Sequence, residues 1–122
     1  MIVAGFGFTS RATADSLAAA LAATGYKDEV TLMAAPWDKA MQPALLDLSK
    51  EMRVMIMAIT SSKLEAAQTA TQSPLSRLLR RTGSVAEAAA LAAAGPGATL
   101  LCTRHISKDR MATCAIAKGA DT

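Results

Sequence analysis

The run Thr82-Gly83-Ser84-Val85-Ala86-Glu87 gathers the residue types that suit holding an anion. Gly83 lets the backbone approach a ligand closely. Ser84 and Glu87 stand at the spacing of a capping box, in which the serine hydroxyl accepts from a backbone N–H one turn on while the glutamate reaches back to the serine N–H. A helix that opens there turns its unpaired N–H groups and the positive end of its dipole toward any nearby anion. Arg77, Arg80 and Arg81 come just before it and would form the outer face of a helix starting at Ser73-Pro74, with Leu75, Leu78 and Leu79 facing inward. A second anion-friendly stretch is Gly5-Phe6-Gly7-Phe8-Thr9-Ser10-Arg11, read as a glycine turn that brings N–H groups and Arg11 to one place. Asp38 and Lys39 form a third, with helix N-cap and surface charge as their plain structural alternatives. A structural helix with good caps has the same signature as the first stretch, so spacing alone defines no site.

These residues need elements to position them. Met1 to Phe6 reads as a buried strand; Ala14, Leu17, Ala18 and Leu21 recur at helical spacing until Gly25 closes the helix. A strand is expected over Val30 to Met33. A helix follows in which Pro43 sits in or just before the first turn and Leu45, Leu48 and Met52 share a face. Val54 to Ile59 is a continuous apolar run, the pattern of a strand covered on both faces. Ser62 and Glu65 read as a second capping box opening a short helix. Gly95-Pro96-Gly97 ends the alanine-rich helix that begins at Ser84. Thr99 to Cys102 and Met111 to Ala117 read as closing strands, joined by a linker, Arg104 to Arg110, too short for a crossover helix, which makes them an antiparallel hairpin with His105 as a surface residue of its loop. The sum is one α/β domain over residues 1–122, a three-layer α/β/α arrangement with a mixed, mostly parallel sheet of about five strands ending in an antiparallel hairpin. Ligands in such folds sit beyond the carboxyl ends of the parallel strands. The Gly5–Arg11 loop, Asp38-Lys39, Thr60-Ser61 and the loop before Ser84 are the candidates to converge there.

Composition narrows the function classes. With 122 residues, 52% hydrophobic but only 3% aromatic, the core must be built from small side chains and closely approaching backbones. Residues 1–65 carry 6 basic and 7 acidic side chains and residues 66–122 carry 7 and 3, so the second half is +4 and the first −1. An anionic partner is expected there; nucleic acid is not, because the basic residues lack interleaved aromatics. No apolar run reaches the length of a membrane span and no basic segment precedes an apolar one at the start, so the expected location is cytoplasmic, away from membranes. The third glycine of a GxGxxG motif is Ser10, and no acidic residue follows the second strand, which argues against a bound dinucleotide; no cofactor is expected. One histidine and no CxxC leave no metal site. Cys102 and Cys114 read as reduced, buried thiols, with a disulfide between neighbouring strands as the alternative.

Taken together and in order, Ile2-Val3-Ala4-Gly5-Phe6-Gly7, Asp38-Lys39, Ser73-Pro74, Gly83-Ser84-Val85-Ala86-Glu87-Ala88-Ala89-Ala90-Leu91 and Asp109-Arg110-Met111-Ala112-Thr113-Cys114-Ala115-Ile116-Ala117 resemble the CobE family of cobalamin-biosynthesis proteins, which is similar to the C-terminal domain of CbiG. The resemblance implies a role in making the corrin ring of vitamin B12, through binding or carrying an anionic precorrin or corrin intermediate of the aerobic pathway. The alternative that it implies is a hydrolase that opens a precorrin lactone and releases a two-carbon fragment, as in CbiG. Either way the ligand-binding set expected from the anion-friendly stretches is Gly5, Gly7, Thr9, Ser10, Arg11, Asp38, Lys39, Arg81, Thr82, Gly83, Ser84 and Glu87. A hydrolase would need an acid–base group, for which Asp38, Lys39 and Glu87 are the candidates, and N–H donors near Gly83 and Ser84 for the developing oxyanion. Another enzyme of the cobalamin pathway is the expected protein partner.

Overall fold

The computed structural model describes residues 1–71 and 84–120, and of residues 68–71 and 84 the backbone alone. Five strands form one sheet: β1 (Ile2–Phe8), β2 (Leu32–Pro36), β3 (Ile56–Ile59), β4 (Thr99–Ile106) and β5 (Ala112–Lys118). Their order is β3-β2-β1-β5-β4. β1 pairs in parallel with β2, and β2 with β3, while β5 runs antiparallel to both of its neighbours, β1 and β4. The sheet is therefore mixed, closed on one side by the expected hairpin.

Helices cover both faces. On one, α1 (Ala14–Thr24) and α2 (Pro43–Met52) bury Leu17, Leu21, Leu45 and Leu48 against Ala4, Phe6, Met33, Cys114 and Ile116. On the other, α3 (Ser61–Thr71) and α4 (Ser84–Ala94) meet Val3, Ala34, Ile59 and Ala117 through Leu64, Ala89 and Ala90. Alternate residues of β1 thus serve opposite layers, as the two-residue period of a strand requires. The helix α4 is itself mostly alanine, and it lies so close that a Cβ on Gly5 would strike the carbonyl oxygen of Ala86 and lie 2.5 Å from the Ala90 nitrogen. Among the described residues no helix is long and apolar enough to cross a membrane.

The expected caps hold at Gly25, left-handed at φ 81° with its N–H on the Ala22 carbonyl, at Pro43 in the first turn of α2, and at Gly95, left-handed at φ 94° after α4. Several local expectations are corrected. The glycine turn is strand: β1 runs through Gly5 and Gly7 to Phe8, because Gly5 is needed for helix packing and both glycines take part in the β5 ladder. β2 begins at Leu32, two residues after Val30. The cap of α3 is Thr60 rather than Ser62, with Thr60 Oγ1 accepting from the Lys63 N–H at 3.3 Å. Asp38 caps no helix; Gln42 holds the N-cap position of α2. β3 is shorter than the apolar run and is an edge strand, with Met55 and Met57 exposed, so continuous apolarity there does not mean cover on both faces. β4 extends to Ile106 across two register irregularities, which puts Arg104 and His105 in the strand and leaves a loop of Ser107 to Met111. The helix expected from Pro74 lies outside the described residues.

Candidate functional site

A cleft of about 520 Å³ opens beyond the carboxyl ends of β1 and β2. β1 is also where the strand order turns, with β2 on one side and β5 on the other, the position at which α/β sheets leave a crevice. Gly7, Phe8 and Thr9 form one wall; Pro36, Asp38 and Lys39 form the next; Leu64 of α3 and Val85 in the first turn of α4 close a third side. Ile106, Arg110, Met111, Ala112 and Thr113 of the hairpin complete it. The walls are tied by hydrogen bonds: the Thr9 N–H donates to the Met111 carbonyl at 2.9 Å, and Thr113 Oγ1 donates to the Gly7 carbonyl at 3.2 Å.

Most of the lining is apolar, and among the described residues Lys39 and Arg110 are set against a single carboxylate, Asp38. Lys39 is half-buried, and its ammonium stands over the ring of the cleft-lining Phe8, 5.5 Å from the centroid, in a cation–π contact. The turn that presents it is closed by the Lys39 and Ala40 N–H groups on the Pro36 carbonyl, at 2.8 and 3.0 Å. Asp38 is exposed.

The hairpin loop is pinned from the opposite side. Asp109 accepts from Ser107 Oγ and from Ser16 Oγ, each at 2.5 Å, and from the Met111 N–H at 3.0 Å. Those bonds, from Ser107 first and then Ser16, hold its carboxyl below the usual aspartate range. Ser16 is itself half of a capping box with Thr13, whose Oγ1 takes the Ser16 N–H at 3.2 Å, so the hairpin loop and the start of α1 are one network. The Thr13–Ser16 pair has capping-box spacing in a form without the usual glutamate, which is why its signal is weak in the sequence.

Of the residues expected at the site, Gly7, Thr9, Asp38 and Lys39 meet in the cleft. Gly5 is buried in mid-strand against α4. Ser10 and Arg11 are exposed and do not line it. Glu87 lies outside the lining, and its Oε2 accepts from the Arg104 N–H at 3.1 Å, fixing α4 to β4. Ser84 opens α4 one residue before the cleft-lining Val85; Arg81, Thr82 and Gly83 lie outside the described residues. Phe8, Arg110, Met111 and Thr113 are lining residues that sequence reasoning did not select. The basic linker was the signal for Arg110, Met111 and Thr113, and the glycine stretch that for Phe8.

Away from the cleft, His105 Nδ1 lies 3.2 Å from Cys102 Sγ at the irregular part of β4. Both cysteines are free; burial pushes the Cys114 thiol strongly up and that of Cys102 up as well. Among the described residues, no three His, Cys, Asp or Glu side chains gather as a metal would require.

Comparison with known proteins agrees with this architecture. The family model described as "Cobalamin synthesis G C-terminus" matches residues 2–117. The crystal structure of cobalamin biosynthesis protein chiG from Agrobacterium tumefaciens is similar at 34% identity and a TM-score of 0.78, over 99% of this chain and 100% of that one. That of CobE, a protein from the cobalamin biosynthetic pathway, is 31% identical with a TM-score of 0.78, over 96% and 89%. A cobalamin biosynthesis protein G homolog from Sulfolobus solfataricus shares the fold at 17% identity and a TM-score of 0.70, this chain spanning 36% of its length. A search of curated proteins finds no match. With a family model covering nearly its whole length, the chain belongs to the cobalamin-biosynthesis family of CobE and the CbiG C-terminus.

Proposed function

We propose that this protein binds an anionic corrin-ring intermediate of cobalamin biosynthesis in the cleft between β1, β2 and the hairpin, and carries it to another enzyme of the pathway. The observation that supports this reading best is the pairing of a mostly apolar lining with two cations, Lys39 and Arg110, opposed among the described lining residues by Asp38 alone. A corrin intermediate is a flat apolar macrocycle rimmed by acetate and propionate carboxylates, so its body matches the apolar lining and its rim the cations. The volume of about 520 Å³ lies in the range of ordinary ligand pockets.

Titration of the purified protein with a corrin polycarboxylic acid, followed by visible spectrum and product mass together, tests the reading. A saturable spectral shift with unchanged mass is expected, and Lys39→Ala should weaken it about tenfold, as loss of a charged hydrogen-bonding partner does. A second reading, opening of a precorrin lactone with release of a two-carbon fragment, rests on Asp38. Its carboxylate lines the cleft and makes no hydrogen bond or ion pair among the described residues, whereas that of Glu87 is engaged by the Arg104 N–H. Loss of two carbons from a lactone-bearing precorrin, abolished by Asp38→Asn with binding intact, would replace the carrier reading by this one.

A further inference from the structure

We infer that Arg110 is the specificity-determining anchor of the site, taking one ligand carboxylate in a two-pronged hydrogen bond; this rests on the corrinoid-binding reading above. Arg110 is one of two described non-glycine residues with positive φ, at 62°. The other, Arg53, is the left-handed cap that ends α2, with its N–H on the Ser49 carbonyl. Arg110 stands instead in the hairpin loop, where left-handed backbone is the place of glycine or asparagine and a long side chain is disfavoured. No contact within the protein accounts for the choice: among the described residues the Arg110 side chain has no hydrogen bond, ion pair or ring contact. Strain of this kind at a cleft is a mark of function when the surroundings enforce it. Here they do. The Arg110 N–H is held by the Ser107 carbonyl at 2.9 Å, and the preceding residue, Asp109, is gripped by Ser107, Ser16 and the Met111 N–H. The neighbouring carboxylate is thereby hydrogen-bonded elsewhere and makes no ion pair with the guanidinium. What remains is a guanidinium fork on a fixed backbone, unpaired among the described residues and lining the same cleft as Lys39 and Asp38, which suits a carboxylate better than a point charge would.

The test compares wild type, Arg110→Gly and Arg110→Lys in binding cobyrinic acid and its fully methyl-esterified form, read by visible spectrum and by fluorescence of the sole tryptophan, Trp37, beside the cleft-lining Pro36 and Asp38. Both variants should bind the acid at least about tenfold more weakly than wild type, the lysine failing because it lacks the fork. The ester should bind all three proteins alike. Arg110→Gly should melt no lower than wild type, because glycine relieves the left-handed position. Wild-type binding of the acid that survives Arg110→Gly unchanged would overturn this inference and leave the carrier reading standing. Failure of wild type to bind either form would overturn the carrier reading itself, and with it the inference.

Discussion

Gly5 shows how strictly a single position can be set. Its missing side chain lets α4 settle onto β1 with Ala86 and Ala90 against the strand backbone, and the space it leaves open is smaller than a methyl group. Backbone cannot move aside as a flexible side chain can, so Gly5→Ala must push helix and strand apart. That loses contacts all along the alanine layer of Ala89, Ala90, Ala93 and Ala94. The expected cost is roughly 1–3 kcal/mol, typical of an overfilled core, read as a lower urea midpoint with unchanged slope. A binding role for Gly5, exerted through its N–H, would instead lower ligand affinity at constant stability. Residue type alone did not separate these two uses of glycine. Gly5 and Gly7 look alike in the sequence and share one face of β1, yet Gly5 lies in mid-strand under α4 while Gly7 lies at the strand's carboxyl end, where the cleft begins.

At the scale of elements, the hairpin and α1 act through one carboxylate. Asp109 joins the Ser107 to Met111 loop to the Thr13–Ser16 cap, and its folded-state pKa is depressed mainly by the bonds from Ser107 and Ser16. A group whose pKa falls on folding contributes stability above its unfolded value and loses that contribution as pH drops through the folded one. Wild type should therefore exceed Asp109→Asn in urea midpoint at neutral pH, and the gap should narrow below about pH 4, the ordinary aspartate value. A gap independent of pH would mean that the carboxylate charge has no part in the tie. The same element marks the limit of reading by pattern. Helix periodicity, Gly25, Pro43 and the closing hairpin were legible because each depends on neighbours in the chain. The Ser16–Asp109 bond spans 93 positions and leaves no local trace. β3 misled for a related reason: an apolar run states what a strand is made of, while its place at the sheet edge depends on strand order. Asp38 and Lys39 were legible as residues that would line a cleft beyond the strand ends, and Arg110 was not, because a positive φ cannot be seen in a basic loop.

The whole molecule places its cleft across the seam between two kinds of sheet. β1, β2 and β3 form the parallel half, built from crossovers through α1 and α2, and β5 with β4 forms the antiparallel half. Only the β1–β5 ladder joins the halves within the sheet, and α4 spans it by packing on β1, β2, β4 and β5. A ligand held by Lys39 from one half and Arg110 from the other adds a further bridge. Because it binds the assembled cleft and not the separate halves, its binding energy is added to the stability of the whole fold. Ligand at about a hundred times its Kd should add about 2.7 kcal/mol. For a chain of 122 residues that corresponds to a rise in melting temperature of roughly 8–15 °C. The transition should stay single and move as one, with slowed amide exchange in β3 and β4 at the sheet edges as well as around the cleft. Protection confined to the Asp38 turn or to the hairpin loop, with an unmoved melting curve, would place the ligand on one half only and separate the carboxylate anchor from Lys39.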